Sequence, residues 1–153
     1  MKWISQDVET YLHAKEYVDT AVIPLFGVTV GDGMKESAAA AEFITLLTTY
    51  LERQFTGRIF MFPAFTYFGG TSEDENLAKL QRWEANLSAH FKHIIYVTSD
   101  FGWRDIEDKL HGTLLWLPAI PLEQMSDTQK IAMIDSQVKQ LLTVFTHKWR
   151  ENV

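Results

Sequence analysis

Along the chain, segments with apolar residues every three or four positions alternate with short, nearly unbroken apolar runs, the signature of helices interleaved with buried strands. Val8, Tyr11, Leu12 and Val18 recur at helical spacing behind Ser5, predicting a helix from about Gln6 to Tyr17 with Ser5 as its cap. Ala21 to Phe26 is an almost unbroken apolar run, a first strand, ended by Gly31-Asp32-Gly33. A helical stripe follows from Glu36 to Phe55, opening on four alanines and carrying Phe43, Leu46, Leu47, Tyr50 and Leu51. Arg58 to Phe65 reads as a second strand.

Gly69-Gly70 then makes a loop, and Thr71 or Ser72 caps a helix bearing Leu77, Leu80, Trp83, Leu87 and Phe91. His93 to Thr98 is a third strand, followed by a short helix from about Trp103 to Leu110 and a fourth strand from Gly112 to Pro118. The connection between these last strands is barely long enough for a parallel crossover, so an antiparallel edge strand is equally open. Ser126 and Gln129 form a capping box before a long final stripe of Ile131, Ile134, Val138, Leu141, Leu142, Phe145 and Trp149. That stripe suits either the sheet or a second copy of the chain.

This alternation predicts a single α/β domain over residues 1–153, a three-layer structure with a mainly parallel sheet of about four strands and helices on both faces. Proline interrupts three of the apolar runs, at Pro24, Pro63 and Pro118. Because proline lacks the amide donor of a ladder, each should mark a place where hydrogen bonding ends or an edge is free, and if the runs are the carboxyl ends of parallel strands the prolines line one rim.

Composition narrows the partners. The 153 residues are 46% hydrophobic, enough for one core, and include 10 Phe, 5 Trp and 5 Tyr, more rings than an average core needs. A formal charge of -6 repels phosphate backbones and offers no attraction to anionic lipid, and no long uncharged apolar segment is present, so neither nucleic acid nor membrane insertion is expected. The chain has no cysteine, which removes disulfides, thiolate nucleophiles and Cys-ligated metals. The polar N-terminus lacks a signal peptide's apolar run, so the expected location is cytoplasmic.

Ligands in open α/β sheets bind beyond the carboxyl ends of the strands, which nominates four loops. The first holds Asp32 between two glycines before a helix, either a turn or an anion cradle, although it is not G-x-G-x-x-G. Ser72 lies in the second, where capping explains it fully. Thr98, Asp100 and Trp103 belong to the third, where Thr98-Ser99-Asp100-Phe101-Gly102-Trp103-Arg104 gathers hydroxyls, a carboxylate, two rings and a cation. Such a set can orient a small planar ligand; the simpler reading has Ser99 or Asp100 cap the short helix while Phe101 and Trp103 pack inward. The fourth runs from Pro118 to Ser126 and carries no distinctive chemistry.

His13, His90, His93, His111 and His147 form no metal-binding spacing, so neither a metal nor another cofactor is expected. There is no G-x-S-x-G elbow. The leading expectation is a non-enzymatic protein that binds a partner protein or small molecule at the strand-end rim, with a homodimer through the C-terminal helix also open. The alternative is a small hydrolase or transferase at that rim, using Asp32, Asp74 or Asp100 with a nearby histidine.

Two resemblances rest on particular residues. Met1-Lys2-Trp3 with Asp7-Val8, Ala14 to Ala21 and Ile23-Pro24-Leu25 resemble the YpiF-like family of Bacillus and its relatives along the whole chain, a family without an assigned function. Val22 to Gly27, the alanine-rich helix and Phe62 to Glu73 are similar in layout to the first half of creatininase-type amidohydrolases. That family places a Glu-x-His-Gly stretch after its first strand to bind metal; here Val28 to Gly33 has no histidine. The second resemblance therefore implies layered α/β architecture only.

Overall fold

A computed structural model describes residues 1–151. The elements follow in the order α1 (Ser5–Leu12), β1 (Thr20–Val28), α2 (Met34–Gln54), β2 (Ile59–Met61), β3 (Phe65–Phe68), α3 (Glu73–Leu87) and β4 (His93–Thr98). Two short 3-10 turns (Phe101–Asp105 and Glu107–Lys109), β5 (Thr113–Trp116) and α4 (Asp127–Arg150) complete the chain. All strand pairings are parallel: β1 lies between β4 on one side and β2 and β3 on the other, and β5 extends the sheet beyond β4. The last strand is thus parallel, and the two 3-10 turns make its connection.

Side chains alternate across the sheet as the strand period demands. Ala21, Ile23, Leu25, Ile94 and Tyr96 point to one face, where Tyr11 of α1 and Leu77 and Leu80 of α3 cover them. Val22, Ile95 and Val97 point to the other, under Phe43, Ile44 and Leu47 of α2 and Ile134, Val138 and Phe145 of α4. The architecture is therefore α/β with helices on both faces. The α4 stripe is largely buried against the sheet, which leaves Ile131 and Val144 as its exposed large apolar residues.

The sheet has five strands rather than four, and proline is the reason. The run from Ile59 to Phe68 pairs with β1 in two pieces, Thr20–Val22 opposite Ile59–Met61 and Leu25–Val28 opposite Phe65–Phe68, with Pro63 in the gap. Val22 accepts from the Phe62 amide on that side, at 2.9 Å. Pro24 lies two residues on and so turns its donorless nitrogen to the same interrupted edge. The prolines consequently do not line one rim: Pro24 sits inside the central strand, tolerated because its neighbour breaks opposite it.

Two further expectations are corrected. Ser5 does not cap α1; Ile4 holds the cap position without a side-chain bond, while Asp7 accepts from the Lys2 amide at 2.7 Å, and the helix stops at Leu12. The short helix after β4 is two 3-10 turns, with Ile106 between them and Leu110 after the second both buried. The capping box of Ser126 and Gln129 forms as read, with both bonds present.

A candidate ligand cleft at the carboxyl ends of β1, β3 and β4

Two adjoining clefts open at this end of the sheet. The larger, about 410 Å3, lies between the end of β1, the start of α2 and the loop after β4. The smaller, about 180 Å3, lies between β3, the start of α3 and the first 3-10 turn. Gly69 and Asp100 line both. The larger volume falls within the range of small-molecule sites.

The first turn of α2 is stapled to β1. Ser37 Oγ donates to the Gly27 carbonyl at 2.7 Å and accepts from the Thr29 amide at 3.1 Å, which fixes the loop between them. Gly31 and Gly33 both take positive φ, 76° and 86°, so this turn needs residues without a Cβ. Asp32 between them is exposed and lines neither cleft; Glu36 and Ser37 face the larger one instead.

Asp100 is held from several sides. Thr98, fully buried at the end of β4, donates its hydroxyl to the Leu25 carbonyl at 3.0 Å and accepts from the Asp100 amide at 3.0 Å. The Asp100 carboxylate caps the 3-10 turn, Oδ1 accepting from the Gly102 amide at 3.0 Å, while Oδ2 accepts from the Tyr67 hydroxyl. Tyr67 in turn accepts from Trp103 Nε1 at 2.7 Å, a buried bond. Burial, with the hydrogen bond and charge of Asp100 adding to it, pushes the Tyr67 hydroxyl far above its ordinary range and keeps it a donor.

The third loop thus brings Thr98, Asp100 and Trp103 into one network. Trp103 packs inward, and Phe101, expected inside, is exposed against Trp116. Ser72 caps α3 through the Glu75 amide at 3.2 Å, and its neighbours Thr71 and Glu73 line the smaller cleft.

Sequence reasoning missed Tyr67, the centre of the network, and Asn76 behind it. Tyr67 lies 33 residues from Asp100, and no local pattern links them. Asn76, on the first turns of α3, is 6% exposed, lines the smaller cleft, and leaves its side-chain Oδ1 without a hydrogen-bond partner. Ser99 Oγ beside the larger cleft is also buried and unpartnered. Buried polar atoms are ordinarily bonded. Each cleft has one such exception beside it, while His93 Nε2 and Tyr96 Oη, also unpartnered, belong to residues that line neither.

Neither cleft is lined by histidine, lysine or arginine. Among the described residues, no group of three or more His, Asp or Glu side chains is placed to hold a metal ion, and no helix is long and apolar enough to cross a membrane.

No solved structure matches the chain. The family model described as "Protein of unknown function (DUF2487)" matches residues 9–149. The "Uncharacterized protein YpiF" of Bacillus subtilis (strain 168) is 36% identical over 149 residues, covering 97% of this chain and 98% of that one. The match spans every strand and all the residues of both clefts, and the chain belongs to the DUF2487 family, whose function is unknown.

Proposed function

We propose that this protein is a binding module that takes a small polar molecule in the paired clefts at the carboxyl ends of β1, β3 and β4. One observation carries the reading: Asp100 stands at the junction of both clefts, positioned by bonds its carboxylate accepts from Tyr67 and Gly102 and by the bond its amide donates to Thr98. A carboxylate set that firmly at a strand-end cleft is a preorganised acceptor. Binding rather than turnover is supported by what Asp100 meets. Its partners are an amide and a phenol held protonated, neither able to shuttle a proton near neutral pH.

Titration calorimetry with agmatine, glycerol and inorganic phosphate, one cation, one neutral and one anion, tests the reading. It is paired with emission spectra of the wild type and the Trp103→Phe variant. Saturable binding by one of the three, with an emission change that Trp103→Phe abolishes and an affinity that Asp100→Leu lowers, is expected. Saturation by none of them, or binding indifferent to Asp100→Leu, overturns it.

A further inference from the structure

We infer that a second site, sharing no lining residue with the rim clefts, takes a small amphiphilic carboxylate with an aromatic or alkyl body. A cleft of about 300 Å3 opens between α1, β2 and the carboxyl end of α3. Its walls are the rings of Trp3, Tyr11, Phe60, Phe62 and Phe91, which touch one another at centroid distances from 4.9 Å (Trp3 and Phe62) to 6.4 Å (Phe60 and Phe91). Phe60 and Phe91 are core residues, but Trp3 and Leu12 on the same lining are 56% and 55% exposed. Large apolar side chains left in water around a concave, ring-walled space gain free energy when an apolar body covers them.

The polar groups give the sign of the occupant. Lys15 and His90 line the cleft and no carboxylate does, in a chain whose formal charge is -6; both rim clefts, by contrast, are lined by acids. Lys15 enters no ion pair among the described residues. The His90 ring carries an N–H donor in either tautomer. α1 and α3 both end at the cleft, where each helix concentrates partial negative charge on its last carbonyls. Those carbonyls are already engaged: Leu87 accepts from the His90 and Phe91 amides at 2.9 Å, and Thr10 and Tyr11 accept from the His13 and Ala14 amides at 3.2 and 2.9 Å. The unpaired ammonium is the charge left to neutralise. A carboxylate on an apolar body meets both demands, its body against the rings and its head at Lys15 and His90.

Three probes test it: octanoate, octylammonium and acetate, titrated at concentrations where all are monomeric and followed by calorimetry and tryptophan emission. Octanoate is expected to saturate with a blue shift in emission that Trp3→Phe, which keeps a ring in the wall, abolishes. Acetate, the head without the body, should not saturate. Lys15 is exposed, so its variants should fold, as circular dichroism checks. Lys15→Gln should weaken octanoate about two- to fivefold, the range for one exposed charge contact, and Lys15→Glu should put octylammonium ahead of octanoate. Asp100→Leu should leave octanoate binding unchanged, which separates this site from the rim. No saturation by octanoate, or a blue shift that survives Trp3→Phe, overturns the site. Octylammonium binding wild type as tightly as octanoate, or Lys15→Gln without effect, overturns the carboxylate.

Discussion

Replacing Tyr67 by phenylalanine isolates the network that sets Asp100. The substitution keeps the ring, its tilted contact to Phe65 and its edge contact to Trp103, and deletes only the hydroxyl. Trp103 is 3% exposed, so its Nε1–H loses its acceptor where water does not readily replace it. A buried donor left unpaired costs about 1–3 kcal/mol. The lost bond to Asp100 adds about 0.5–1 kcal/mol, a smaller figure because that carboxylate is exposed and water takes the vacated position. Tyr67→Phe should therefore destabilise by about 2–3 kcal/mol, read from urea denaturation as a lower midpoint at unchanged slope. Trp103→Phe removes the donor and also leaves a void, costing about 2–3 kcal/mol. In the double variant no indole N–H remains to be orphaned, so its loss should fall short of the sum by about 1–2 kcal/mol. A Tyr67→Phe midpoint equal to wild type, or strictly additive effects, would refute the network.

Gly112→Ala should be severe, since a Cβ there would lie 2.7 Å from the Tyr96 ring and 2.9 Å from the Ile94 carbonyl; about 2–3 kcal/mol or failure to fold is expected by thermal denaturation. Ser126→Ala removes one bond of the capping box and should cost about 1 kcal/mol, with hydrogen exchange rising first in the opening turn of α4. His93 is 3% exposed, and burial lowers its pKa below 6.5. The unfolded chain therefore takes up the proton first, so this contribution is complete above about pH 6.5 and is lost as pH falls towards the folded value. The slope is at most about 1.4 kcal/mol per pH unit. A His93→Gln variant should show a flatter denaturation midpoint between pH 7 and 5 than wild type; parallel profiles would contradict the assignment.

Much of the layered fold is written locally. Helical spacing in α2, α3 and α4, the cap at Ser72 and the box at Ser126 need only neighbours three or four residues away, and each forms, although α3 stops at Leu87 and leaves Phe91, expected on it, in the following loop. The unbroken apolar runs of β1 and β4 likewise announce strands buried on two faces, because a residue's neighbours in sequence set its alternation. The sequence by itself also determined that cysteine chemistry has no place here.

What only the tertiary structure decided depends on pairings between distant segments. Pro24 is accepted in the central strand because Pro63, 39 positions away, interrupts the strand beside it. The direction of β5 is fixed by its register with β4 and not by its own residues. Thr98, Asp100 and Trp103 share a loop, so their candidacy was legible; Tyr67 and Asn76 reach the same cleft from β3 and α3, and nothing in their local surroundings distinguishes them from core residues. A strand period and a helix stripe are short-range, but a binding site is made where loops from separate elements converge, and that convergence exists only after the sheet has ordered its strands.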